Sequence, residues 1–98
     1  MQPDEVIAIL RRHESTLRAR GVRHAALFGS VARGDARPSS DVDIMIELAP
    51  DNRLDLFAYS GLMNDIAGLF PVRVDVVDRN ALKPYLRAPA TRDAIYAF

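Results

Sequence analysis

Ninety-eight residues without a cysteine, 49% hydrophobic and 27% charged, with 13 basic residues against 13 acidic ones, fit one globular domain over 1–98 with a modest core. The zero formal net charge gives no reason to expect direct nucleic-acid binding or an anionic membrane as partner, and the missing cysteines exclude disulfides, thiolate metal ligands and thiol catalysis. No apolar run approaches the ~20 residues of a membrane span, and Asp4 and Glu5 stand where a secretory leader would be basic, so a cytoplasmic protein is expected.

Residues 3–20 are predicted to form a helix, with Pro3 in the first turn, Asp4 and Glu5 complementing the dipole, and Gly21 as the stop. Val6, Ile7, Leu10 and Leu17 make its buried stripe, and Arg11, Arg12, Arg18 and Arg20 are read as a solvated face. A strand at 23–28 follows, then a short helix opening at Ser30, which could cap it, and a loop over 34–40 rich in Gly, Pro and Ser. From Asp41 the chain alternates through Val42, Ile44, Ile46 and Leu48, the period of a strand. The turn Pro50-Asp51-Asn52 precedes a helix over 54–69, whose aromatics are expected in the core, and Pro71 precedes a β-branched strand over 72–78. Residues 79–98 suit two short helical pieces anchored by Leu82, Leu86, Ile95 and Phe98 and interrupted by Pro84 and Pro89. This order predicts an α/β (α+β) domain: a small mixed sheet with helices mainly on one face.

Chemistry concentrates in Phe28-Gly29-Ser30, ten residues, then Asp41-Val42-Asp43. Gly29 and Ser30 fall where a strand ends and backbone amides can meet an anion. Asp41 and Asp43 are two apart, so on a strand both carboxylates leave one face and can converge on a hard cation. Each half alone is most often a plain turn or a solvated acidic pair, but both at one fixed spacing arise by chance in roughly one chain in a thousand of this length. Nucleotidyl transfer needs its phosphate charge neutralised, and two ions about 3.5–4 Å apart usually call for a third carboxylate. Asp75, alone among Val74, Val76 and Val77, supplies one; the alternative is a structural pairing with Arg73. Arg33 either forks onto phosphate oxygens or is a surface arginine before Gly34.

On these residues, Gly29-Ser30, Asp41-x-Asp43 and a later-strand Asp75, the chain resembles the minimal nucleotidyltransferase family, the small branch of the polymerase-beta-like superfamily. Members of this size and layout are MntA-type antitoxins of HEPN/MNT toxin-antitoxin pairs, which transfer AMP to a toxin tyrosine. The resemblance implies Asp41, Asp43 and Asp75 as catalytic metal ligands, Gly29, Ser30 and Arg33 as nucleotide contacts, Mg²⁺ (two ions) with ATP as substrate, and a hetero-oligomer with a HEPN-type toxin. Partner contacts are expected among Arg33, Arg37, Arg73, Tyr85, Leu86 and Arg87, the equal alternative being that Tyr85 and Leu86 only close the core. Two other readings stay open: a non-catalytic antitoxin that occludes the toxin, and an aminoglycoside-type nucleotidyltransferase working with a separate helical subunit. The residues do not name the preferred base.

Overall fold

Helix α1 runs over Pro3–Arg12 and α2 over Glu14–Ala19, so the predicted single helix is broken at His13. The break has a local cause. The His13 ring lies 2.9 Å from the Ile9 carbonyl, and the His13 amide donates to Leu10 instead. Glu5 fixes the start by accepting from the Gln2 amide at 2.9 Å. The predicted stripe of Val6, Ile7, Leu10 and Leu17 is buried. The arginine face is solvated as expected, with Arg11, Arg12 and Arg18 exposed and Arg20 half-exposed, and three of the four also make contacts. Arg11 donates to the Ala97 carbonyl at 3.0 Å, Arg18 pairs with Glu14 at 2.7 Å and lies 4.8 Å from the centre of the Phe98 ring, and Arg20 pairs with Asp65 at 2.7 Å. They tie the helical pair to the C-terminus and to the next long helix.

The computed structural model describes residues 1–37 and 41–98, so the predicted 34–40 loop falls partly outside the described residues, as do Ser39 and Ser40. Strand β1 is Val22–Phe28, helix α3 Gly29–Arg33, strand β2 Val42–Leu48, helix α4 Leu56–Ala67 and strand β3 Val74–Asp78. A 3₁₀ turn at Arg79–Ala81 leads to α5, Pro84–Asp93, and to β4, Ile95–Tyr96. The sheet order is β3-β2-β1-β4, with β1 antiparallel to β2 and β4, and β2 parallel to β3. It is the mixed sheet that the element order predicts. Strand β4 is an addition: two residues carry no legible alternation, and their place is fixed by pairing Tyr96 with Ala26 and Ile95 with Leu27.

One sheet face carries the core. Ala25 and Leu27 of β1 and Val42, Ile44 and Ile46 of β2 pack with Val6, Leu10, Leu17, Val31, Leu62 and Ile66 of the helices. Fully burying a side chain such as Leu10, Leu27, Ile44 or Leu62 is worth about 1.5–3 kcal/mol each. Alternation sends Ala26, Phe28, Asp43 and Met45 to the opposite face, where α5 touches β1 and the 3₁₀ turn touches β2. Helix α4 corrects one expectation. Its core stripe is Leu62 and Ile66 with Met63 behind, and Phe57 sits about half a turn away from that stripe, 88% exposed, not in the core. The helix also starts later than predicted, at Leu56, because Asp55 caps it by accepting from the Ala58 amide at 2.7 Å.

Candidate active site

The end of β1 turns sharply into α3 at Gly29, whose φ is +77°, a conformation that side chains disfavour. A Cβ built there would run into the Asp43 carboxylate, lying 3.1 Å from its Cγ. Glycine is therefore required twice, for the turn and to let Asp43 approach the backbone. In register, Phe28 stands opposite Asp43 on β2, and Asp43 stands beside Asp75 on β3. Asp75, Asp43 and Phe28 thus form a row across the face opposite the core, ending at Gly29.

The electrostatics of that row are those of a crowded acidic cluster. Burial pushes the half-buried Asp43 carboxyl above its ordinary range, the negative charges of Asp75 and Asp41 push it further, and Arg33 opposes them. Asp41 stands just before β2, with Arg73 Nε 3.7 Å from its Oδ2. Arg73 therefore meets Asp41, and Asp75 is exposed and makes no ion pair among the described residues. Arg33 reaches Asp35 at 3.2 Å and Asp93 at 3.5 Å, and the Asp35 contact, ahead of Asp93, raises its pKa. Ser30 corrects one expectation: α3 begins at Gly29, so Phe28 holds the cap position and Ser30 is the second helical residue, half-buried. Among the described residues no three acidic side chains converge closely enough to enclose an ion by themselves. The donor set nonetheless suits Mg²⁺, which is commonly held by one or two carboxylates completed by substrate phosphates and water.

Residues 7–97 match the family described as nucleotidyltransferase domain. The chain belongs to that family. Protein adenylyltransferase MntA of Thermococcus cleftensis is 34% identical over 94 residues, covering 95% of this chain and 93% of that protein. A solved minimal nucleotidyltransferase structure aligns with a TM-score of 0.76 and 34% identity, covering 97% of this chain and 95% of the other. A chain from a complex of tri-AMPylated Shewanella oneidensis HEPN toxin with MNT antitoxin aligns with a TM-score of 0.63 at 20% identity, covering 94% of this chain and 71% of that one, and shares the fold.

In this nucleotidyltransferase the sequence motifs leave one feature of the site unannounced. A groove of about 260 Å³ opens beside Gly29 between β1 and α5, walled by Phe28, Leu82, Leu86 and Pro89, with Arg33 and Asp93 also lining it. The sequence reading takes Leu82 as an anchor and leaves Leu86 between the core and a partner surface. Leu82 is half-buried, Leu86 43% exposed and Tyr85 70% exposed, because α5 lies over the site face and contributes no buried residue. No sequence signal announces the groove, because the pairing of Phe28 with Asp43 depends on strand register. Of the expected partner contacts, Arg87 is occupied internally, donating to the Arg79 carbonyl at 3.2 Å and the Asn80 carbonyl at 3.0 Å. Among the described residues no helix is long and apolar enough to cross a membrane.

Proposed function

We propose that this chain transfers AMP from ATP to a tyrosine hydroxyl of a HEPN-type toxin and so acts as its antitoxin. The observation that carries the reading is the close approach of Asp43 to the Gly29 backbone, with Asp75 next in register. This arrangement suits a reaction in which a triphosphate at the strand end meets a carboxylate cluster. The protein adenylyltransferase name of a 34%-identical relative, and the AMPylated HEPN toxin found with a structural neighbour, support the same acceptor class.

In this reading the Gly29 amide and the Ser30 hydroxyl bind the phosphates, and Arg33 moves from Asp35 and the half-exposed Asp93 to phosphate oxygens. Asp41, Asp43 and Asp75 would hold Mg²⁺, which when bound offsets charge on the phosphates and lowers the barrier to displacement. Asp75, on the strand beside Asp43, orients the toxin hydroxyl and helps accept its proton. The hydroxyl oxygen bonds to the α-phosphorus, the bond to the bridging oxygen breaks, and pyrophosphate leaves. The partner supplies the acceptor through an interface of about 800 Å² from each side, for which the exposed Tyr85 of α5 is a natural anchor.

Incubation with labelled ATP and candidate acceptors tests this. Label on a toxin tyrosine supports the proposal, label on an aminoglycoside moves the chain to small-molecule transfer, and no label with retained neutralisation leaves occlusion.

A further inference from the structure

We infer that the free face of α4, at the end of the sheet remote from the aspartates, is a self-association surface on which Phe57 of each copy enters a hollow beside α4 of the other. The inference goes beyond the proposed transfer reaction, and its readout does not depend on it. A hollow of about 460 Å³ opens where α2 meets β1 and β2 meets α4, lined on its apolar side by Leu54, Ala58 and Leu62 and on its polar side by Arg18, Arg20 and Asn52. Its sheet-end residues, Gly21 before β1 and Ala49 after β2, stand at the opposite strand ends from Gly29 and Asp43. The seven residues of β1 separate the two regions by roughly 20 Å. A partner whose tyrosine reaches the aspartates engages the far end of the sheet and leaves this one open.

Shape points to a second copy as the occupant. Phe57 is 88% exposed and adjoins the lining residue Ala58 in the chain, so an apolar knob and an apolar hollow share one face. Such a pair is self-complementary about a two-fold axis and closes at a dimer, whereas a knob and hollow on opposite faces would propagate. Gly61, four residues after Phe57, has no explanation inside the chain. It lies in mid-helix, where glycine is less favourable than alanine, and a Cβ there would meet nothing within 4 Å. Bare backbone beside Phe57 gives a second α4 room to approach closely. Charge agrees. Asp51, in the hollow, and Arg53, just outside it, are exposed and make no ion pair among the described residues. One unpaired charge of each sign is what a two-fold contact requires, because Arg53 of each copy then meets Asp51 of the other. A stable dimer takes about 800 Å² from each copy, about one-eighth of the 6042 Å² surface, an area that one end of the domain can supply.

Sedimentation equilibrium of the full chain without toxin, from micromolar to submillimolar concentration, is expected to show a reversible monomer–dimer equilibrium. Phe57→Ala is expected to raise the dissociation constant at least ~10-fold while the dilute monomer melts as the wild type does, since the ring is exposed. Gly61→Leu should move two readouts in opposite directions: the monomer melts higher, because leucine is the better helix former, and the dimer weakens. Arg53→Asp should also weaken the dimer, and adding Asp51→Arg to it should restore the wild-type constant, which a loss of folding would not do. A wild-type chain that stays monomeric throughout overturns the inference, as does a dimer that Phe57→Ala leaves unchanged. A monomer whose Phe57→Ala variant instead loses toxin binding gives the face to the toxin and overturns it too. AMP transfer per chain is expected to survive all of these substitutions, and a chain that dimerises as described yet transfers no AMP refutes the transfer reading alone.

Discussion

Replacing Gly29 with alanine imposes two separable costs, and Gly34 isolates one of them. Both glycines hold left-handed φ, +77° and +80°, so alanine at either costs about 1–2 kcal/mol of backbone strain. A domain near 100 residues loses about 4–8 °C per kcal/mol, which predicts melting roughly 5–15 °C lower for each variant. The two differ in what the new methyl meets: nothing within 4 Å at Gly34, the Asp43 carboxylate at Gly29. Gly29→Ala must therefore also move Asp43, and a shift of about 1 Å at a reacting centre can cost 100-fold in rate. Urea denaturation and AMP-transfer assays on both variants measure the two costs. Gly34→Ala should be destabilised yet active per folded molecule, and Gly29→Ala destabilised further and at least ~100-fold slower. Wild-type transfer by Gly29→Ala would refute the reasoning that the glycine exists to admit Asp43.

Asp43→Asn should abolish transfer without lowering the melting temperature at neutral pH. Its folded carboxyl titrates above the ordinary value of 3.8, so ionising it opposes folding; stability falls as pH rises through that window, and the amide removes the penalty. A melting series against pH checks the sign, since the variant's advantage should vanish in acid below the ordinary carboxylate range. Asp75→Asn should lose transfer with unchanged melting, because the exposed Asp75 supports no ion pair among the described residues; lost stability with retained activity would make its role structural. Arg33→Ala should weaken ATP binding by calorimetry and leave melting unchanged, because both its carboxylate partners are exposed or half-exposed.

The parts of the fold legible in the sequence are those with strong periodicity and clear punctuation. Val6, Ile7, Leu10 and Leu17 mark a buried helical stripe, though as one helix and not two, and alternation from Val42 to Leu48 marks a central strand. In the candidate site the sequence marked the residues, Gly29, Asp41, Asp43 and Asp75, but their placement comes from strand register, which sets Asp43 beside Asp75 and leaves Asp41 just before β2. What escaped depends on tertiary contacts. The break at His13 comes from one ring bonding the Ile9 carbonyl, β4 is two residues whose strand character is pairing with β1, and the exposure of Phe57 follows from where α4 meets the sheet. The groove wall on α5 escaped for a similar reason. Leu82 reads as an anchor and Leu86 as either core or partner contact until the path of α5 over the site face is known.

The central claim is enzymatic modification of a partner. Intact mass measurement of a HEPN-type toxin co-expressed with this chain tests it most directly, alongside the Asp41→Asn, Asp43→Asn double variant. The account predicts a toxin heavier by one or more AMP units with the wild-type chain, and an unshifted, still active toxin with the double variant. An unshifted toxin that both chains neutralise equally well would contradict it.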